Sequence, residues 1–193
     1  MNTLKAEKRS KDVKAKRLRR EGYVTGNVFG REIEGSIPVK MVKSDVEKLL
    51  KTDHKGSQIM LEIDGQPYDV LIKDIEYNSM SRMVEEIDFQ ALVSNQKVHS
   101  VAEVILLNHD KVVGGVIQEN LSEISYKALP AALVDKVKID VSTMHVGDVI
   151  HVKDLDIAKN KDIDLVTNPE AVVVMMNAVH SAAAAGTEET EEE

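Results

Sequence analysis

Apolar and polar positions alternate clearly in the first half of the chain. Ile59, Leu61 and Ile63 share one parity, Asp64-Gly65 follows as a two-residue turn signal, and Tyr68, Val70 and Ile72 resume the alternation on one face. This pattern predicts a β-hairpin. Upstream, in SDVEKLLK, Ser44 and Glu47 have capping-box spacing and Val46, Leu49 and Leu50 form an apolar stripe, which predicts a short helix over about 44–51. The segment KAKRLRREG, residues 14–22, is helix-compatible with Gly22 as its stop. Further strands are predicted over 23–29, about 35–41 and 83–91.

After Ala91 the alternation loosens into VSNQKVHS, a polar stretch of the kind that joins domains, and the boundary is placed near 94. From Val98 onward the short runs VAEVILL, KVVGGVIQ, ISYKAL, VKIDV, DVIHV and AVVVMM recur at intervals of roughly ten residues, separated by Gly, Asn, Asp or Pro. The expected architecture is mainly β with short helices: one domain over 1–94, a β-rich second domain over 95–180, and a disordered tail over 181–193. The tail ends AAAAGTEETEEE, with five glutamates in the last seven positions and nothing to bury.

Charge changes the picture from fold to partner. The chain carries a formal net charge of -8, yet residues 1–20 hold nine Lys or Arg against Glu7 and Asp12. That is +7 at one end and -15 over the rest. The bland reading of such a run is a solvated helix face. Against it stands the crowding of Arg17, Arg19 and Arg20 in one turn despite their repulsion, which suits a polyanion-binding surface; Arg also fits phosphate forks and guanine edges better than Lys does. Residues 95–193 hold eight Lys and no Arg against 17 acids, so they offer no basic cluster. With 3% aromatic content and no Trp, a platform of stacked bases is disfavoured, and contacts to backbone and groove are expected instead.

The remaining chemistry is sparse. Without cysteine there are no disulfides, zinc-thiolate sites or cysteine nucleophiles, and no stretch approaches the roughly 20 apolar residues of a membrane span. MNTLKAEKRS has the charge of a signal peptide's start, but no apolar run follows it. The expectation is a soluble intracellular protein with no membrane partner. His54, His99, His109, His145, His151 and His180 include no HExxH pair and read as surface or strand-edge residues. Gly114-Gly115 reads as a turn or bulge, and Met175 and Met176 as core. Asp74, Glu76 and Asp88 pair with no nucleophile or metal by spacing. No enzyme, cofactor or small-molecule substrate is expected.

The stretches RLRREGYVTGNVFG, VLIKDIEY and EEIDF in the first half, with ALPAALVDKVKIDVSTMHVGDVIHVKDL and NPEAVVVM in the second, resemble one family. It is the bacterial large-subunit ribosomal protein that binds 5S ribosomal RNA, in its longer two-domain form, also called general stress protein Ctc. The resemblance covers nearly the whole chain. It implies a small β-barrel first domain that holds 5S rRNA, a β-rich second domain turned away from it, other large-subunit proteins as partners, and a ribosome-associated place in the cytoplasm. The RNA contacts it implies are Arg9, Lys14, Lys16, Arg17 and Arg19 in the basic segment, Phe29 and Gly30 at the end of a strand, Lys73 in the hairpin, and Asp88. Cations would meet phosphates, Gly30 and the Phe29 ring would fit against sugars and bases, and Asp88 would accept from a base amino group or orient a cation.

Several positions depart from the family pattern. Thr25-Gly26 stands where the family has Pro-Ala, Phe29 where it has Tyr, and Glu86 where a His precedes Ile-Asp-Phe, while DIEYNSMS lacks the usual His-Pro. Losing a hydroxyl and exchanging a His for an acid remove RNA donors, so binding weaker than the family norm is expected. A diverged general stress protein of the same fold, with weak or conditional ribosome association, is the second reading.

Overall fold

The computed structural model describes residues 2–10, 12–112 and 114–178. The expected disordered tail, 181–193, and His180 lie outside these residues.

The first part is a closed six-stranded barrel. Its elements are β1 (Thr3–Lys8), α1 (Ala15–Arg20), β2 (Tyr23–Phe29), β3 (Ser36–Val42), α2 (Lys43–Leu49), β4 (Gln58–Ile63), β5 (Gln66–Tyr77) and β6 (Val84–Ala91). The strands close in the order β1-β3-β2-β6-β5-β4, and β4 returns to β1 in parallel. Closure leaves no strand edge unpaired in the barrel. The predicted hairpin is β4–β5: Asp64 (φ 49°) and Gly65 (φ 85°) both adopt the positive φ that a type I′ turn requires. The two alternations point Ile59, Leu61, Ile63, Val70 and Ile72 inward, and they meet Val24, Val28, Ile87 and Phe89 in one core.

Three local expectations are corrected. Strand β1 was hidden in the basic end, because only Leu4 and Ala6 of TLKAEK are buried and charges dominate the stretch. Helix α2 begins at Lys43, directly out of β3, with Val42 as its N-cap and no side-chain cap. Ser44 therefore lies inside the first turn and donates to Asp45, and the capping box with Glu47 does not form. The third concerns the methionines in the second part.

That second part comprises β7 (Val98–Leu107), β8 (Gly115–Glu119), β9 (Glu123–Ala128), β10 (Lys136–Asp140), β11 (Val149–His151), α3 (Asp156–Lys159), β12 (Ile163–Leu165) and β13 (Val172–Ala178). They form a sheet of order β10-β7-β9-β12 and a second of order β11-β13-β8. A separate core of Ile124, Tyr126, Ile139, Val152, Leu155, Val173 and Val174 lies among them. The buried Tyr126 hydroxyl donates to the Val134 carbonyl (2.9 Å) and accepts from the Val134 N–H (2.8 Å), so it is satisfied on both counts. Met176 is core, but Met175 is only partly buried.

The two parts touch at a compact joint. The Ser100 hydroxyl donates to the Gly56 carbonyl (3.2 Å), and a Cβ on Gly56 (φ +91°) would stand 2.0 Å from the Val101 carbonyl oxygen. Only glycine fits there. Nearby, His54 Nε2 lies 3.2 Å from Glu103, and His54 Nδ1 donates to the Lys55 carbonyl, so this histidine belongs to the joint and is not a surface residue.

Candidate nucleic-acid interface

The basic segment folds as the linker from β1 and the single short helix α1. Leu18 is the buried residue of α1 and anchors the helix against the barrel, and Gly22 (φ +89°) ends it as expected. With Leu18 inward, Lys14, Lys16, Arg17 and Arg20 are exposed. Lys16 and Arg20 are one turn apart on one face, and Lys14 and Arg17 are neighbours by the same geometry. Arg17 is held by Glu21 (2.8 Å), while Lys14, Lys16 and Arg20 have no side-chain partner among the described residues. Arg20 was not among the expected contacts; its place one turn from Lys16 is the signal that could have found it.

Among the described residues, two further cations of the segment, Arg19 and Arg9, turn toward the protein. Arg19 reaches β6, where its guanidinium donates to the Glu85 carbonyl (3.2 Å) and pairs with the carboxylates of Glu85 (3.1 Å) and Glu86 (3.5 Å). Arg9 donates from Nε to the Val13 carbonyl (3.2 Å), which ties down the linker before α1, and its charge also reaches Glu86. Arg9 and Arg19 thus join the basic flank to an acidic one.

The acidic flank is built by strand pairing. Register sets Asp74 opposite Asp88 and Glu76 opposite Glu86 on the outer face of β5–β6. Like charges directly across a ladder destabilise it, and here Asn27 Nδ2 bridges Glu86 (3.2 Å) and Asp88 (3.3 Å) in part compensation. Burial, then Asp88 and Glu76, pushes the Glu86 carboxyl above its ordinary value, while Arg19 and Arg9 pull it back.

The remaining expected contacts stand apart from α1. Phe29 and Gly30 lie at the far end of β2, about 20 Å along the strand from its start beside α1. A Cβ on Gly30 would stand 2.9 Å from that of Ala91, which gives this glycine a packing reason of its own. Lys73 falls where β5 shifts register between Ile72 and Asp74; it donates from Nζ to the His99 carbonyl (2.9 Å) at the joint, and burial lowers its pKa, followed by the nearby charge of Lys55. Gly26 also has a structural reason: a Cβ there would stand 2.1 Å from the Ile87 carbonyl oxygen across the β2–β6 pair. The alanine typical of the family does not fit this spacing. Close approach also lets Thr25 donate to the Glu85 carbonyl (3.3 Å).

Comparison with known proteins bears on what this surface serves. Residues 4–89 match the model of the Ribosomal L25p family, and residues 97–180 match that of the C-terminal domain of ribosomal protein TL5. The large ribosomal subunit protein bL25 of Geobacillus thermodenitrificans is 31% identical over 153 residues, covering 78% of this chain and 72% of the relative. Its counterpart in Caldanaerobacter subterraneus is 27% identical over 195 residues, covering 98% and 94%. In Carboxydothermus hydrogenoformans the figures are 29% over 164 residues, with 84% and 81% covered. Barrel and second domain are matched in the same order as in these long relatives, and the chain accordingly belongs to the bL25 family of large-subunit ribosomal proteins, constituents of the ribosome and not enzymes.

Proposed function

We propose that this chain binds 5S rRNA within the large ribosomal subunit, and that α1 with its linker is the principal contact. The observation that carries the reading is the set of exposed cations Lys14, Lys16 and Arg20, unpartnered among the described residues, on a helix and N-cap anchored by Leu18. Cations already committed to carboxylates release little counterion on binding, whereas free ones exchange theirs for phosphate. Phe29 and Gly30 extend this surface only if the RNA spans the length of β2. Lys73 and Asp88 contribute least, the first because its ammonium is engaged at the joint and the second because it sits in a row of acids. The second domain, with eight Lys against 17 acids over 95–193, repels a polyanion and has other large-subunit proteins as its natural neighbours.

The acidic outer face of β5–β6 favours one further reading, a diverged stress protein with weak or conditional ribosome association. Titrating labelled 5S rRNA with the intact chain, with residues 1–94 and with residues 95–193 tests the proposal. Binding by the first two and not the third is expected. Binding by residues 95–193 at the affinity of the intact chain would overturn it. Co-sedimentation with large subunits after a high-salt wash separates constitutive from conditional association.

A further inference from the structure

The joint between the barrel and the second part holds an ionisable group, His54, that the RNA-binding surface does not employ. His54 lies in the turn from α2 to β4, and that turn is tied to the barrel. The Asp53 N–H donates to the Leu49 carbonyl (3.0 Å), the His54 N–H to the Ser57 hydroxyl (3.1 Å), the Ser57 N–H to the His54 carbonyl (3.0 Å) and the Gly56 N–H to the Ile72 carbonyl (2.9 Å). The imidazole is thus presented to the second part from a set position.

Acceptors face both of its nitrogens. Nδ1 lies 2.9 Å from the Lys55 carbonyl, which can only accept, so Nδ1 carries a hydrogen. Nε2 is buried, makes no aligned hydrogen bond among the described residues, and lies 3.2 Å from the Glu103 carboxylate of β7. A neutral imidazole has a single N–H, and with that hydrogen on Nδ1 it turns a bare lone pair toward the carboxylate. An imidazolium turns an N–H there instead. The contact between the two parts therefore attracts or repels according to one proton.

The charges around the ring are mostly negative. In the sheet Glu103 stands opposite Lys136 of β10 and Glu123 of β9. Asp135, beside Lys136, has its carboxyl pushed up by burial, pulled down by the charge of His54, raised by Asp53 and lowered by Lys136. On the barrel side Lys55 is answered by Asp74 (3.1 Å), and Lys136 Nζ reaches the Thr52 carbonyl (3.4 Å). Glu103, Asp135 and Asp53 thus outnumber the cations left to oppose a positive ring.

We propose that His54 is a proton-operated clasp between the barrel and the second part. Protonated, it pairs with Glu103 and holds the second part against the barrel. Deprotonated, it releases Glu103, and the joint is left to the contacts of Ser100 with Gly56 and of Lys73 with His99. Histidine is the side chain whose charge ordinarily changes between about pH 5 and 8, so the clasp closes on the acid side of that range and opens on the alkaline side. The second part is then carried rigidly at low pH and loosely at high pH. The inference rests on the fold of this chain and not on 5S rRNA as its ligand.

The test follows backbone amide relaxation by NMR in the full chain as wild type, His54→Gln and Glu103→Gln, each at about pH 5.5 and about pH 8. Wild type is expected to tumble as one body at the lower pH. At the higher pH the two parts should show separate rotational correlation times, differing by at least about 1.2-fold. Both variants should lose this pH dependence and keep one relation between the two parts at both pH values. Wild-type tumbling that is the same at both pH values overturns the proposal by itself, with no substitution involved. A pH dependence that survives in either variant also overturns it, and assigns the effect to the other titratable groups of the joint, Lys73 and His99, whose pKa values burial lowers.

Discussion

The α1 flank and the outer face of β5–β6 are parts of one barrel, yet they treat charge in opposite ways. On α1 and its N-cap, like-charged side chains are fanned outward from one buried leucine, and three of them, Lys14, Lys16 and Arg20, have no partner among the described residues. On β5–β6, like-charged side chains are set opposite each other by register and are partly neutralised from inside, by Asn27, Arg19 and Arg9. A cation fan that holds its charges ready is suited to a polyanion. Arg19 is the link between the two flanks: it originates in the basic helix but is committed to the acidic strand.

The most disruptive way to break the comparison is to separate the strands that hold the two flanks together. Gly26→Ala places a Cβ against the Ile87 carbonyl and is expected to cost at least about 2 kcal/mol of stability in urea unfolding. Both flanks should fail together. Replacing the link is milder. Arg19→Met leaves Glu85 and Glu86 without their cation and is expected to cost about 1 kcal/mol, a figure held down by partial exposure of the pair, with little change in the salt dependence of RNA binding.

Glu86→Gln sharpens the comparison through pH. The folded-state pKa of Glu86 lies above its unfolded value, so its contribution favours the fold at low pH and is lost as pH rises through the raised folded value. The wild type should therefore gain stability relative to Glu86→Gln on mild acidification, and the variant should be about 0.5 kcal/mol more stable at neutral pH. Parallel pH dependence in the two proteins would contradict the burial and repulsion assigned to this ladder. The smallest effect is expected at Lys73. Lys73→Met should leave 5S rRNA affinity within twofold of wild type, measured by titration, because its ammonium already serves the His99 carbonyl.

How much of this was legible beforehand depends on the range of the interaction. The β4–β5 hairpin was readable because alternation and an Asp-Gly turn are local signals, and so were α1 with its glycine stop and the strand over 23–29. Strand β1 was not, since Leu4 and Ala6 are too few to show a period among charges. The basic segment stood out by composition, but its division into free and committed cations did not. That division depends on Arg19 meeting Glu85 across 66 positions of sequence, which only barrel closure brings about. Lys73 donates to the His99 carbonyl from a register shift in β5 that no pattern announces. Gly26 looked like a departure from the family and proves to be required by the spacing of β2 and β6.

The central claim is that the free cations of α1 supply the RNA contact, and salt dependence tests it most directly. Intact wild type and Lys14→Ala/Lys16→Ala/Arg20→Ala are titrated with 5S rRNA over a series of salt concentrations. Three lost phosphate contacts should weaken binding and flatten the slope of log affinity against log salt by about 2. A triple variant with the wild-type slope would show that the RNA is held elsewhere, and the assignment of α1 would be withdrawn.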